Sequence, residues 1–123
     1  GMRSFGEQKE NVAAKGVAYM KGMQQAGVLA CAKHFPGHGD TESDSHHTLP
    51  VVAHSGDRLQ NLELFPFRKL IADSVGSIIV GHLNVPFYET RNIAATLSDK
   101  IVTGLLKKEM GFQGLVITDA MNM

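Results

Sequence analysis

Only one cysteine, Cys31, occurs in the 123 residues, and this excludes an intrachain disulfide framework. Its place in the apolar stretch Gly27 to Ala32 reads as a packed thiol rather than a nucleophile. Excess charge of either sign is also missing. Twelve Lys and Arg balance twelve Asp and Glu, for a formal net charge of zero, so no electrostatic bias draws the chain toward nucleic acid or an anionic membrane. No apolar run approaches the ~20 residues that span a bilayer. No basic-plus-apolar leader is visible at the N-terminus, and cytoplasmic and exported locations both remain open. Internal repeats and low-complexity tracts are absent. With 43% hydrophobic residues, the composition fits a soluble globular chain of at most one domain.

Three short apolar stretches stand out. Gly27 to Ala32, Val75 to Gly81 and Gly114 to Thr118 are each introduced by or contain glycine. They read as strands buried on both faces of a parallel sheet. Between them lie helical patterns. From Glu7 to Gln25, Val12, Gly16, Tyr19, Met20 and Met23 share a face, with Gly27 as the stop. Leu64 to Ser74 places Phe67, Leu70 and Ile71 together and tolerates Pro66 in its first turn. Ser98 can cap a third helix bearing Ile101, Val102, Leu105, Leu106 and Met110, ended by Gly111. The order α-β-α-β-α-β predicts an α/β fold with a parallel sheet and right-handed crossovers.

Each predicted strand delivers polar groups at its carboxyl end: Lys33 and His34, then His82, then Asp119. Loops at that end of a parallel sheet converge on one point while the strand bodies stay packed, and ligands bind there. The first strand also runs into KHFPGHGDTESDSHHTLP, which holds four histidines, a lysine, two aspartates and a glutamate within eighteen residues. So many titratable groups do not build a core, and the run reads as a site loop. Within it His38 and Asp40 shape the loop through local hydrogen bonds, Pro36 directs its exit, and Gly37 and Gly39 permit backbone excursions. His54 reads as part of a surface turn.

Residue types alone leave several uses open. Asp119 could cap a helix, and Lys33 and His34 could pair with a carboxylate at a strand end. His34, His38, Asp40, Asp44, His46 and His47 are ligand types for a divalent metal, although they lack the i, i+4 spacing of a helical zinc site. A non-catalytic sugar-binding or scaffold module is the further alternative, since fold does not fix function.

The run KHFPGHGDTESDSHHTLP, with RSFG at Arg3 to Gly6, GHLNVP at Gly81 to Pro86 and GFQGLVITDAMNM at Gly111 to Met123, resembles glycoside hydrolase family 3 in its β-N-acetylglucosaminidase branch. The resemblance covers nearly the whole chain. It implies parallel β/α units forming part of a (β/α)8 TIM-type barrel, with about three strands present and the barrel incomplete, since closure takes about 250 residues. Residues 1–123 are then expected to be a fragment of a single catalytic barrel. Such a piece is expected to self-associate or to belong to a longer chain, and to show little activity by itself.

The resemblance further implies removal of a terminal β-linked N-acetylglucosamine with retention of configuration and no metal or organic cofactor. Asp119 takes the place of the nucleophile, His46 that of the acid/base and Asp44 that of its partner carboxylate. Lys33, His34 and Arg3 match substrate-contacting positions, and His82 lines the pocket. The expected partner is an N-acetylglucosamine-containing glycoside, whether muropeptide or chitin-type, with no nucleic acid and no membrane span. The chemistry suits these residue types. A histidine with an ordinary pKa of ~6.5 exchanges protons at neutral pH without the desolvation a carboxylic acid needs. Being neutral once deprotonated, it would not repel an anionic acceptor, so phosphorolysis stays open beside hydrolysis.

Overall fold

The computed structural model describes residues 3–41 and 49–122. Asp44, His46 and His47 therefore lie outside the described residues. The chain runs α1 (Lys9–Gln25), β1 (Cys31–Phe35), a short turn of helix α2 (Gly56–Arg58) that continues as a π-type turn (Leu59–Glu63), α3 (Phe65–Ala72), β2 (Ser77–Val80), a 3-10 turn (Ala95–Leu97), a π-type helix (Lys100–Glu109) and β3 (Leu115–Thr118). The three strands form one parallel sheet in the order β1-β2-β3. This is the expected α/β architecture, and the sheet does not close into a barrel.

Helices cover one face. Ala32, Ile78 and Val116 stand in register across the three strands, and the first two are buried against Met20, Leu64, Phe67, Leu105 and Leu106 in a single apolar core that Val116 also joins. Phe35 is fully buried, and its ring meets Phe67 edge-on at 5.2 Å, a geometry that adds about 1 kcal/mol to the area buried. The opposite face is open at its two outer strands, with Ser77 of β2 buried between them. Cys31, Leu115 and Ile117 are exposed, Leu115 by 54%. The outer strands β1 and β3 are thus not buried on both faces, and the Cys31 thiol is not packed, because no element among the described residues covers them on that side.

Several boundaries move. The first strand begins at Cys31 rather than Gly27, because pairing with β2 starts at Cys31 opposite Ser77. Val28 and Leu29 precede the sheet and stay exposed. Lys33 and His34 accordingly belong to the strand's last residues instead of following it. The register shifts between Ala32 and Phe35, and the Lys33–His34 and Phe35–Pro36 peptides are both cis.

On α1 the buried residues are Ala13 and Met20, with Tyr19 64% exposed and its ring 5.9 Å from that of Phe5. Met20 and Met23 of the expected face thus meet the core and Val12 is half-buried, while Tyr19 points away and Ala13 joins the inward face. Gly16 faces α3, where an added Cβ would meet Leu70 at 3.8 Å. Gly27 ends the helix at φ +83°, as a glycine stop requires.

The third helix has the expected apolar face but is wound with i→i+5 bonds, such as Met110 N donating to Leu105 O at 2.9 Å. The wider turn brings Ile101, Leu105 and Leu106 together in the core. Ser98 does cap its start: its hydroxyl accepts from Ile101 N at 3.2 Å and donates to Glu89 Oε2 at 2.6 Å. Glu89 is fully buried and also receives Arg91 Nε at 2.8 Å and Nη2 at 2.6 Å. Bonds from Arg91 and Ser98 hold its carboxyl far below the usual carboxylate range.

Candidate active site

The carboxyl ends of the strands gather polar side chains. The sheet ladder runs to its last residue here: Asp119 N donates to Val80 O at 3.0 Å, and Gly81 N donates to Phe35 O at 2.9 Å. These bonds place the residues that follow all three strands side by side. His34 lies over Gly81, where an added Cβ would sit 3.2 Å from the His34 Cβ.

Asp119 is mostly buried at the rim. Its Oδ1 accepts from the Ala120 amide at 2.9 Å, and its Oδ2 faces His34 Nε2 at 3.8 Å. One carboxylate oxygen is thus held by the backbone, and the other has no hydrogen-bond partner among the described residues. Burial pushes the His34 imidazole below its ordinary pKa, more than the Asp119 carboxylate raises it, and the charges of Lys33, His38 and Arg3 lower it further. His34 is therefore neutral at pH 7 and offers a hydrogen bond rather than a charge. The structure brings His34, Asp119 and His82 to one end of the sheet, and the fields of Lys33 and Arg3 reach it, although both side chains are solvent-exposed.

His82 uses both ring nitrogens on protein atoms. Nε2 is 2.9 Å from Ala120 O and Nδ1 is 2.8 Å from Thr96 Oγ1. A carbonyl only accepts, so Nε2 carries the hydrogen. Thr96 has no counterpart in the sequence reading, as a lone threonine fourteen residues beyond a histidine bears no spacing signal.

A second polar group forms where the loop after β1 leaves and returns. His54 Nε2 donates to Asp40 at 3.1–3.2 Å, Arg58 Nη2 donates to Asp40 Oδ2 at 2.5 Å, and Arg58 Nε donates to Glu63 Oε1 at 3.0 Å. His54 is thus bound to the loop and is not a free surface residue. The burial that would raise the Asp40 carboxyl is outweighed by His54 and Arg58, which leave it below its ordinary pKa. His38 meets the Thr41 hydroxyl, a local bond of the expected kind.

Gly37 has a more specific reason than mobility: at φ +145°, a Cβ there would sit 2.9 Å from the Cβ and Cγ of Glu63. Beyond the loop, Val52 N donates to Asn84 O and Asn84 N to Pro50 O, which ties the returning chain beside the exit of β2.

Asp40, His54 and Glu63 form the one group among the described residues whose ligand atoms approach closely enough for a metal ion. The Arg58 guanidinium already bonds two of the three. A cation from the chain itself occupies the position that a metal would need.

A parallel α/β sheet with a carboxylate and two histidines converging at its strand ends is the class of fold and site found in barrel enzymes. The model for the glycosyl hydrolase family 3 N-terminal domain matches residues 1–123, and the chain belongs to that family. It is 48% identical in sequence to the structure of a glycoside hydrolase family 3 beta-N-acetylglucosaminidase from Paenibacillus sp., covering 100% of this chain and 23% of that one with a TM-score of 0.98. Beta-hexosaminidase A of Pseudoalteromonas piscicida is 40% identical over 99% of this chain and 22% of its own length. A beta-hexosaminidase of Neisseria gonorrhoeae is 35% identical over 100% of this chain and 34% of its own length. The chain thus spans roughly a fifth to a third of the relatives it matches.

Proposed function

We propose that the protein carrying this chain is a retaining β-N-acetylhexosaminidase that removes terminal β-linked N-acetylglucosamine. The observation that carries this reading is Asp119, a carboxylate at a strand end with Oδ1 held by the Ala120 amide and Oδ2 without a hydrogen-bond partner among the described residues, beside a neutral His34. The activities named for the relatives support the choice of sugar.

In this mechanism Asp119 Oδ2 attacks the anomeric carbon as the bond to the leaving oxygen breaks, and the leaving oxygen takes its proton from His46. In the second step the neutral His46 removes a proton from water, which displaces Asp119 and restores both groups. Asp44 orients the His46 ring and stabilises its protonated form. His34 and Lys33 hydrogen-bond sugar hydroxyls, Arg3 contacts the substrate, and neither metal nor organic cofactor takes part.

The test uses the full-length protein. A slow fluorinated N-acetylglucosaminide should label Asp119 covalently, and the first product formed should keep the β configuration. Label on another residue, or the inverted anomer, defeats the reading. His46→Ala should harm substrates with poor leaving groups far more than activated aryl glycosides, and equal losses on both would remove His46 from the acid/base role. Running the assay with and without phosphate separates hydrolysis from phosphorolysis, because phosphorolysis yields the sugar phosphate.

A further inference from the structure

Both ring nitrogens of His82 are engaged by the protein, so neither is left for a sugar hydroxyl. We propose that His82 is a positioning residue for Asp119: it pins the Ala120 carbonyl, and through Ala120 it fixes which oxygen of the Asp119 carboxylate is free to react. This inference rests on the reading of Asp119 as nucleophile.

The chain of bonds is short. Asp119 is fixed at its backbone by the bond from its amide to Val80 O at 3.0 Å. Beyond that point the sheet ladder ends, and among the described residues no strand bond holds residue 120. Ala120 is nevertheless tied twice, through its amide to Asp119 Oδ1 at 2.9 Å and through its carbonyl to His82 Nε2 at 2.9 Å. Without the second bond Ala120 could rotate, and its amide would leave Oδ1. The two carboxylate oxygens would then become interchangeable, and the reactive lone pair would lose its aim.

His82 can act as an anchor because it is itself anchored. With the hydrogen on Nε2, Nδ1 is the acceptor for the Thr96 hydroxyl at 2.8 Å. Thr96 sits on the 3-10 turn Ala95–Leu97. That turn is fastened to the exit of β2 by Ala95 N donating to Leu83 O at 2.7 Å, with Ala95 and Leu83 both fully buried. A rigid turn after β2 therefore orients the residue after β3, and with it the group proposed to do the chemistry.

The test compares labelling with binding in the full-length protein. His82→Phe should slow covalent labelling by the fluorinated glycoside by about 10- to 100-fold, the cost of a misaimed reacting group, while inhibition by free N-acetylglucosamine stays close to that of the unmodified protein. Thr96→Val, which removes the hydroxyl behind the ring, should slow labelling roughly five-fold, the loss of about one ordinary hydrogen bond. Thr96→Ser should restore it. The Thr96 pair keeps the proposal testable if His82→Phe fails to fold.

If His82→Phe weakens N-acetylglucosamine binding as much as it slows labelling, His82 contacts the sugar and the proposal is overturned. It is equally overturned if Thr96→Val labels at the normal rate. Label found away from Asp119 in the unmodified protein defeats the proposed function itself. Label on Asp119 with a flat Thr96 pair defeats only the role of His82.

Discussion

Glu89 and Asp119 are both carboxylates close to a basic side chain, yet the fold treats them oppositely. Glu89 has no exposed surface, and its two oxygens receive the Arg91 amide, two nitrogens of the Arg91 guanidinium and the Ser98 hydroxyl. The same Arg91 extends the network to Asp99. Asp119 receives one amide on Oδ1, while among the described residues its Oδ2 meets only a distant imidazole. A saturated carboxylate is held ionised and cannot attack or exchange a proton cheaply; it fastens the segment before the Lys100–Glu109 helix. An undersaturated one at a strand end retains a lone pair for a substrate. The number of donors around a carboxylate, more than its burial, separates the anchoring role of Glu89 from the role proposed for Asp119.

The largest expected effect lies on the reactive side of this contrast. Asp119→Asn in the full-length protein should lower turnover by roughly three orders of magnitude or more, while the melting temperature moves by no more than about 2 °C, because few contacts are lost. A steady-state assay paired with calorimetry checks both. Strong destabilisation would show that Asp119 is as structural as Glu89.

Glu89→Ala should do the reverse. Arg91 is half-exposed and keeps Asp99, so the loss falls on the buried side: the Ser98 hydroxyl loses its acceptor and a cavity opens, and the melting temperature should fall by about 5 °C. The activity of the molecules that remain folded should be close to normal. Loss of activity without loss of stability would erase the distinction.

Acid sharpens the comparison further. Glu89 is held ionised, so its stabilising contribution is present above its ordinary pKa of 4.5 and is lost as pH falls below that value. His34 acts at higher pH. Its imidazole is lowered from 6.5 chiefly by burial, so below 6.5 the unfolded chain binds a proton before the folded one does. Stability therefore rises with pH through that window and falls on acidification. Denaturant unfolding followed from pH 8 to pH 3 should show a shallow decline beginning near 6.5 and a steeper one below 4.5. In His34→Gln the shallow component should vanish.

The smallest expected effect concerns the third carboxylate group. Because Arg58 already bonds Asp40 and Glu63, prolonged chelation should leave the activity and melting temperature of the full-length protein unchanged. Loss of activity restored by zinc would place a metal among these groups after all.

The parallel α/β order and three strand segments were legible in the chain because buried strands need continuous apolar residues and helices need three- and four-residue spacing. The delivery of His34, His82 and Asp119 at strand ends followed from the same pattern. The close approach of Glu63 to the turn after β1 was not legible. Gly37 reads as a flexible residue in sequence, whereas in the fold it is a close approach to Glu63 that a side chain would obstruct.

His54 and Arg58 also look like solvated turn residues until folding brings them to Asp40, fourteen and eighteen residues earlier. Thr96 behind His82 and Glu89 beneath Arg91 are likewise choices of tertiary structure. Hydrophobic period is a local property of the chain and survives in its sequence. Which polar group finds which partner depends on where separate strands end and turns fold back. That distance is set only when the helices pack on one face of the sheet and bring the ends of β1, β2 and β3 level.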